Sequence, residues 1–161
     1  MPALTRPYLI PSLLVGLLAF ALDRGHKFLQ IDMLGWRGGE IVPVTSFFDY
    51  VLVWNPGVSY GLLNDLPVWA LGAIAIVAIA ALALWWSRAA DPLVRFGLML
   101  AIGGAVSNAL DRLLYGAVAD FFHFHWQAWS FYIFNIADVA ITSGVLLLLL
   151  DFVGIGRPKK A

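Results

Sequence analysis

The sequence predicts a membrane all-α bundle of four transmembrane helices, with a small extracytoplasmic β-sheet and an interfacial loop. Three observations lead to this fold class. Of the 161 residues, 61% are hydrophobic and 12% are charged, whereas a soluble domain is about 45–50% apolar and about 25% charged. Four apolar segments each approach the roughly 20 residues that a spanning helix requires. One long connection between them is rich in residues that favour strands.

Composition also excludes several classes of function. The formal net charge is zero, so the chain lacks the basic field that attracts nucleic acid. It contains no cysteine, which rules out disulfides, a thiol nucleophile and any metal site built on cysteine. The length fits a single membrane-embedded domain over residues 1–161 with one modest insertion outside the membrane.

The four predicted spans cover about residues 7–27, 66–86, 94–115 and 131–152. The "AFA" at Ala19–Ala21 is similar to a signal-peptide cleavage site, but three further spans follow, and we interpret the first segment as a span. Lysine and arginine set the orientation, since the side that carries more of them is cytoplasmic. That side includes both termini and carries Arg6, Arg88, Arg95, Arg157, Lys159 and Lys160, against Arg24, Lys27, Arg37 and Arg112 on the outer side.

Two connections then lie on the outer side. The first, at about residues 28–65, contains "EIVPVTSFFDYVLVWN", whose valine, phenylalanine, tyrosine and threonine residues favour strands. Pro43 predicts that one of these strands is an edge strand, because proline cannot donate a backbone hydrogen bond. The second connection, "FFHFHWQAWSFY", is dense in aromatic rings that favour the membrane–water interface. We therefore expect a small sheet from the first connection and an interfacial loop from the second.

Apart from Arg95 and Asp151 at the cytoplasmic ends, the ionisable residues that enter the spans all lie towards the outer leaflet. Residues with unrelated roles would scatter between the two leaflets, so this convergence predicts one polar site near the outer surface, facing the bundle interior. Helical spacing supports it, because Asn135 and Asp138 share a face, and Asp23 and Lys27 are four residues apart and can pair. The small residues at the two ends of Gly103–Ser107 let the third span pack tightly. The polar residues that converge are Asp23, Arg24, Lys27, Asn108, Asp111, Arg112, Asp120, Asn135 and Asp138.

Two carboxylates held close together away from bulk water share a proton, because both cannot easily ionise. Such a pair can activate water, with one member acting as base and the other donating a proton to a scissile carbonyl. The candidate pairs are Asp138 with Asp120 and Asp138 with Asp111. Arg112 directly follows Asp111, and a carboxylate beside a guanidinium is more often structural. The residues therefore favour Asp120 and Asp138.

Other site chemistries have weaker support. No H-E-x-x-H zinc motif and no G-x-S-x-G nucleophile motif occurs. His123 and His125 lie beside aromatic residues, and we interpret them as part of the interfacial loop rather than as metal ligands. Lys27 could activate a serine, but a helix ion pair with Asp23 is the simpler role. We therefore predict no metal and no other cofactor.

Five blocks of the sequence carry a resemblance to a known family. They are "DRGHK" (Asp23–Lys27), "NPGVSYG" (Asn55–Gly61), "GGAVSNALDR" (Gly103–Arg112), "GAVADFF" (Gly116–Phe122) and "FNIAD" (Phe134–Asp138). In content, order and spacing, the chain resembles lipoprotein signal peptidase (signal peptidase II), a family of bacterial intramembrane aspartyl proteases. The blocks extend over most of the chain.

The resemblance implies an aspartic endopeptidase with Asp120 and Asp138 as its catalytic pair. It implies that a prolipoprotein is cleaved just before a cysteine that carries a diacylglyceryl group, and that globomycin-type cyclic peptides inhibit by occupying the pair. It places the protein in a bacterial inner membrane with membrane lipids around it and the active site near the periplasmic face. The supporting residues it implies are Asp23 and Lys27 at the edge of the site, Asn55 and Gly57 in a covering outer segment, and Asn108, Asp111, Arg112 and Asn135 around the pair.

The chain departs from the family pattern in two blocks. Arg24 stands where the family usually has glutamine, and Ser59 and Tyr60 stand where it usually has alanine and phenylalanine. Neither departure touches the catalytic pair. Both are expected to affect the movement of the outer segment or its contact with substrate.

Three alternatives to an enzyme remain at this stage. Asn135 and Asp138 could have a purely structural role in holding helices together, since interhelical hydrogen bonds contribute around 0.6 kcal/mol each. A proton-coupled transporter or channel would also use intramembrane carboxylates, but it would need polar groups through the full membrane depth, and the inner halves of these spans are apolar. A structural or assembly subunit would not need acidic residues on two separate elements at one depth.

Overall fold

The computed structural model describes residues 8–57 and 67–155. The predictions for the basic residues near both ends of the chain, and those for Ser59 and Tyr60, lie outside this range. The helices are α1 (Leu9–Lys27), which continues as a π-helix over Phe28–Met33, α2 (Val68–Arg88), α3 (Pro92–Tyr115) and α4 (Ile136–Phe152). The strands are β1 (Ile41–Thr45), β2 (Phe48–Asn55), β3 (Val118–Trp126) and β4 (Trp129–Ser130).

Helix α3 lies at the centre of the bundle and packs against α1, α2 and α4. Glycines make the close approaches possible. A side chain at Gly103 would meet the backbone of Gly16 on α1, and one at Gly104 would meet the carbonyl of Ala137 on α4. Small residues let helix backbones come together where no water drives association. The small-residue packing predicted for Gly103 is confirmed.

Three helical segments are long and apolar enough to cross a membrane by length and composition, namely Leu9–Met33, Trp69–Arg88 and Pro92–Tyr115. Large apolar side chains on their outer faces are exposed, as at Trp69 and Val77 on α2. Such surfaces are stable when lipid, rather than water, covers them. Helix α4 has 17 residues and is the shortest of the four α-helices in the described part of the chain.

The four strands form one antiparallel sheet in the order β1-β2-β3-β4. Pro43 lies on β1, at the edge of this order, as predicted. The interfacial loop predicted for "FFHFHWQAWSFY" is wrong, because these residues form most of β3 and all of β4. The second connection pairs with the first, so β2 and β3 satisfy each other's backbone hydrogen bonds.

The fourth helix begins at Ile136, not at residue 131 as the apolar run predicted. The residues before it are extended, and Phe134 forms an isolated bridge with Phe122 of β3. Phe134 O accepts hydrogen bonds from the backbone N–H groups of Phe121 and Phe122. Hydropathy alone could not separate this extended stretch from the helix, because both are apolar.

The sheet has its own small core beside the bundle. Ile31 of the π-helix packs with three buried residues of β2 and β3, and aromatic rings cover this cluster. His26 on α1 lies 2.6 Å from the hydroxyl of Tyr50 on β2. The C-terminal end of α1 is thereby fixed to the sheet, which lies at that end of the bundle. The buried sheet residues are Leu52, Ala119 and Phe121.

Candidate active site

Asp138 lies in the first turn of α4, where a capping box holds it. The side-chain carbonyl of Asn135, the N-cap residue, accepts from Asp138 N at 2.9 Å. In return, Asp138 Oδ2 accepts from Asn135 N at 3.2 Å. Asn135 and Asp138 therefore do not share a helical face, as their spacing predicted, but form a helix start. A carboxylate in this position interacts favourably with the positive end of the helix dipole.

Asp120 lies on β3 and is 2% exposed, directly before the residues that were predicted to form the interfacial loop. Its Oδ1 accepts from Asn135 Nδ2 at 2.7 Å, and its Oδ2 accepts from Asn55 Nδ2 at 3.1 Å. Asn55 is at the end of β2, so two strands and the start of α4 hold this carboxylate. Asn135 contacts both carboxylates, because its backbone N–H donates to Asp138.

Asn108 on α3 connects the carboxylates to a buried cation. Its Oδ1 accepts from Lys27 Nζ at 3.1 Å and from Asn135 Nδ2 at 3.1 Å. Two donors on the oxygen fix the orientation of the amide, so its nitrogen must face the other way. Asn108 Nδ2 accordingly donates to Asp138 Oδ1 at 2.9 Å. The amide therefore orients the Asp138 carboxylate.

Two carboxylates and two cations form a buried ion network below the site. Lys27 Nζ is 2.7 Å from Asp23 Oδ2 and 2.6 Å from Asp111 Oδ2, and all three side chains are fully buried. Arg24 also pairs with Asp111. The predicted Asp23–Lys27 pair is confirmed, but it lies beneath the site and not at its edge. The partners of Asp111 are Lys27 and Arg24, not its neighbour Arg112.

The same network fixes the elements that carry the catalytic candidates. Asp23 Oδ1 accepts from the backbone N–H of Ala137 at 2.9 Å, next to Asp138. Asp111 Oδ2 accepts from the backbone N–H of Ala119 at 3.2 Å, next to Asp120. Each structural carboxylate therefore holds the residue that precedes a site carboxylate. Asp111 is not available as a partner for Asp138 in an acid–base pair, since cations and a backbone donor occupy its oxygens.

A cavity of about 280 Å³ contains both site carboxylates. Arg112 lines it as well, and its guanidinium donates to Gly57 O at 2.9 Å. Asn55 Oδ1 accepts from Gly57 N at 3.1 Å, which ties the start of the outer segment to the cavity rim. A second, largely apolar pocket of about 220 Å³ shares Asp138 with the first. The first cavity is lined by Asn55, Ala105, Asn108, Arg112, Val118, Asp120, Asp138 and Ile141, and the second by Phe131, Tyr132, Phe134, Asp138, Val139, Thr142 and Ser143.

Burial, which is the largest cause, and the negative charge of Asp138 together raise the pKa of Asp120 from its ordinary value to about 7. Hydrogen bonds from Asn55 and Asn135 and the charge of Lys27 act against this rise. Asp120 therefore holds a proton near neutral pH, which a carboxyl group in water would not do.

The residues predicted from the sequence meet in one region, but with different neighbours than expected. Asp120, Asp138, Asn55, Asn108 and Arg112 line the first cavity. Asn135 lies between the carboxylates, Gly57 contacts Arg112, and the remaining predicted residues form the network below.

Sequence reasoning missed the direct role of Ser107, whose hydroxyl donates to Asp23 Oδ2 at 2.6 Å. Its position one residue before Asn108, on a polar stretch of α3, was the available signal. The four predicted residues in the network are Asp23, Arg24, Lys27 and Asp111.

The chain is similar to known proteins over most of its length. The family model described as signal peptidase (SPase) II matches residues 15–154. The chain is 46% identical to the lipoprotein signal peptidase of Rhodopseudomonas palustris (strain TIE-1), over 91% of this chain and 93% of the relative. It is 43% identical to the lipoprotein signal peptidase of Methylorubrum extorquens (strain PA1), over 86% of this chain and 83% of the relative.

A solved structure described as a bacterial membrane enzyme has the same fold. It superimposes with a TM-score of 0.81 at 26% identity, and the match covers 96% of each chain.

Proposed function

The chain belongs to the lipoprotein signal peptidase (signal peptidase II) family of membrane proteases, and from this premise we propose an aspartyl mechanism for it. Asp120 and Asp138 activate a water molecule that attacks the scissile carbonyl of a membrane-bound substrate. The observation that carries the proposal is that two carboxylates with different surroundings line one cavity. One is fully enclosed on a strand, and the other is at a helix N-terminus.

The two surroundings suggest a division of labour. Asp138, at the start of α4, is the base that takes a proton from water, because the helix dipole and the Asn108 amide stabilise its negative charge. Asp120 is the acid that donates a proton to the carbonyl oxygen, because its raised pKa keeps it protonated near pH 7. As the carbonyl becomes tetrahedral, the single proton of the pair moves to the substrate, and the proton from water replaces it on the pair. The pair titrates as a unit.

The neighbouring residues position this pair. Asn108 and Asn135 orient the carboxylates by hydrogen bonds, and Asn55 holds Asp120 from the opposite strand. Arg112 and Gly57 connect the cavity to the outer segment, which covers bound substrate. Asp23, Lys27 and Asp111 hold the backbone beneath, and we assign them a positioning role.

Lipoprotein signal peptidases act on prolipoproteins among membrane lipids, and the two cavities suit a substrate that is partly polar and partly apolar. We propose that the peptide bond before a diacylglyceryl-modified cysteine reaches the polar cavity. The apolar pocket beside Asp138 then accepts a hydrophobic part of the same substrate. Globomycin-type cyclic peptides would inhibit by occupying the space between the carboxylates.

All four helices are proposed to span a bacterial inner membrane, with both termini in the cytoplasm and the active site near the periplasmic face. Helix α4 has 17 residues, at the lower end of the roughly 17–25 that span a bilayer. The extended residues before it carry the chain to the sheet. The site carboxylates then lie near the outer surface, where a lipid-anchored substrate presents its peptide.

The first experiment is cleavage of a diacylglyceryl-modified prolipoprotein by purified enzyme in detergent. Asp120→Asn and Asp138→Asn should each reduce cleavage to background, because each removes one half of the acid–base pair. The matched control is Asp32→Asn, which neutralises an exposed carboxylate on the π-helix and should cleave at the wild-type rate. Thermal unfolding of all four proteins checks that they are folded.

The possible outcomes separate the alternatives. Loss of activity in both site variants, with activity kept in Asp32→Asn, supports the aspartyl pair. Activity that survives Asp120→Asn would overturn the assignment of that residue. Absence of cleavage by folded wild-type protein would contradict the proposed substrate.

A further inference from the structure

Three potential metal ligands meet on the sheet, apart from the cavity that holds the site carboxylates. Asp49 on β2 is directly opposite His123 on β3 in the antiparallel register. His125 is two residues further along β3, so it projects from the same face of the sheet as His123. One ligand atom from each of the three side chains lies within 4.8 Å of the other two.

The polar atoms of this cluster converge on one oxygen. Asp49 Oδ2 is 3.8 Å from His123 Nδ1 and 3.1 Å from His125 Nε2. Ligands about 2.0–2.2 Å from a tetrahedral ion are roughly 3.3 Å from each other, so small side-chain rotations bring all three into range. The side chains are between 19% and 27% exposed, which leaves a path for an ion and for water.

His125 Nε2 is shielded from solvent and, within the described structure, has no hydrogen-bond partner. It lies 3.1 Å from Asp49 Oδ2, but the orientation of the ring does not give a hydrogen bond to that oxygen. Buried polar atoms normally have a partner, so this nitrogen has a lone pair or proton that no hydrogen bond uses. A bound cation would satisfy it.

The other imidazole has a partner outside the cluster. His123 Nε2 is 2.8 Å from Ser130 Oγ on β4. When Nδ1 binds an ion, Nε2 carries the proton and donates it to this hydroxyl. Outer hydrogen bonds of this kind fix the tautomer and the ring orientation of histidine ligands. The cluster therefore has both a ligand set and one supporting contact.

We propose that Asp49, His123 and His125 bind a divalent transition-metal ion such as Zn²⁺. Two imidazoles and one carboxylate suit zinc, cobalt, nickel or copper, whereas Mg²⁺ and Ca²⁺ prefer sites made of oxygen ligands. A four-coordinate ion held by three protein ligands has one remaining position, which water can occupy. The sequence alone predicted no metal, because Asp49 is more than 70 residues from the histidines and only strand pairing brings it to them.

The ion would join β2 to β3 above the active site. The register of this strand pair is interrupted between Tyr50 and Val53, and the cluster lies on one side of the interruption while Asn55 and Asp120 lie on the other. An ion that binds the folded sheet and not the unfolded chain stabilises the fold. We therefore assign this site a structural role that is separate from the proposed acid–base chemistry.

The test is a titration of purified protein in detergent, after removal of any polyhistidine tag and treatment with a chelator. Isothermal calorimetry with Zn²⁺ should show a single ion per chain, and Co²⁺ should give the visible absorption of a site with nitrogen and oxygen ligands. Mg²⁺ should show no binding. His123→Ala and His125→Ala should each weaken Zn²⁺ binding by at least roughly tenfold, and Ser130→Ala by a similar factor.

Asp49→Asn keeps the shape of the side chain and provides a ligand variant with little risk to folding. It should also weaken Zn²⁺ binding, whereas Asp32→Asn, which removes a carboxylate outside the cluster, should bind as wild type does. Zn²⁺ should raise the melting temperature of the wild type and not that of the doubly substituted H123A/H125A protein. Absence of binding to folded wild type, or equal binding to the double variant, would overturn the proposal.

Discussion

At the scale of single residues, two asparagines determine how the site carboxylates are held. An asparagine amide has a donor end and an acceptor end, so it can accept from a cation on one side and donate to a carboxylate on the other. Asn108 does this between Lys27 and Asp138. Asn135 accepts from the backbone of Asp138 and donates to Asp120. The carboxylates therefore have fixed orientations, and among the described residues no lysine or arginine forms an ion pair with either of them that would keep both ionised.

Because Asp120 has a pKa of about 7 and is proposed to act as the acid, cleavage should depend on pH. Activity should fall as the pH rises through about 7, by roughly tenfold per unit above it, since the acid loses its proton. The measurement is kcat/KM for the modified prolipoprotein across this range. The charged groups that interact with Asp120 are Asp138, Lys27 and Arg112, so the apparent pKa belongs to the group as a whole.

The pH profile of Asp32→Asn should match that of the wild type, since this carboxylate is exposed on the π-helix and is not among the charges that shift the pKa of Asp120. A rate that continues to rise as the pH passes through and beyond 7 would contradict the role of Asp120 as a proton donor.

The carboxylates themselves could be predicted from the sequence, but the contacts around them could not. Convergence of acidic residues at one depth is visible along the chain, and it identified Asp120 and Asp138. The capping box of Asn135 was not predicted, because its apolar neighbours Phe131 and Phe134 continue the hydropathy of the helix. The pairing of Arg24 with Asp111 joins residues 87 positions apart, and it shows that this departure from the family pattern belongs to the buried network.

At the scale of elements, the contact between α3 and α4 positions the site. Gly97 and Gly144 approach each other's backbones, and Gly104 approaches the backbone of Ala137. Each glycine removes the side chain that would separate the two helices. Asn108 lies on α3 one turn from Gly104, and Asp138 directly follows Ala137, so this close packing determines the distance across which Asn108 donates to Asp138.

Gly104→Ala should therefore lower both stability and activity. The added Cβ would meet the Ala137 carbonyl and lie 2.9 Å from Ile141 Cγ1, so the start of α4 must move away from α3. Overpacking of this kind costs about 1–3 kcal/mol. Thermal unfolding in detergent and the rate of prolipoprotein cleavage measure the two effects.

The matched control is Gly72→Ala on α2, where no neighbouring atom of the described structure lies within 4 Å of an added Cβ. This variant should be as stable as the wild type or slightly more stable, because alanine favours helices. Equal melting temperatures for Gly104→Ala and Gly72→Ala would show that the close approach at Gly104 does not contribute to the stability of the fold.

The elements also show where sequence patterns are ambiguous. The helices were predicted to within a few residues, apart from the start of α4, because hydropathy over some 20 residues is a strong signal. β3 was predicted as an interfacial loop, because aromatic residues favour both strands and the membrane interface. Only strand pairing, as between Asp49 and His123 and between Phe48 and Phe124, distinguishes a strand from an interfacial loop here. A single sequence does not show which residues pair.

At the scale of the whole molecule, one end of the bundle carries the polar site and the sheet, while large apolar side chains cover much of the exposed surface of the described helices. The buried network connects α1 to α3 through ion pairs, to β3 through Ala119 and to α4 through Ala137. Four elements therefore meet at one end of the bundle. This arrangement is consistent with an enzyme that meets its substrate at a membrane surface.

The proposed orientation makes a prediction that the absence of cysteine allows us to test cleanly. Thr45→Cys, exposed on β1, should react with a membrane-impermeant maleimide in intact spheroplasts. Arg88→Cys, exposed at the end of α2, should react only after the membrane is permeabilised. Protection of Thr45→Cys together with labelling of Arg88→Cys in intact spheroplasts would reverse the topology.

The order of the strands has a consequence for how the protein is made. β2 and β3 are neighbours in the sheet, but α2 and α3 separate them in the chain. During synthesis β2 is made first, and its edge towards β3 stays unpaired until α2, α3 and β3 have also been made. Unpaired edges invite association with other chains. Because Asn55 and Asp120 meet only when these strands pair, the nascent enzyme has no complete site before its third helix and the segment after it have left the ribosome. A nascent chain that ends before α4 therefore lacks Asp138 and cannot form the proposed acid–base pair.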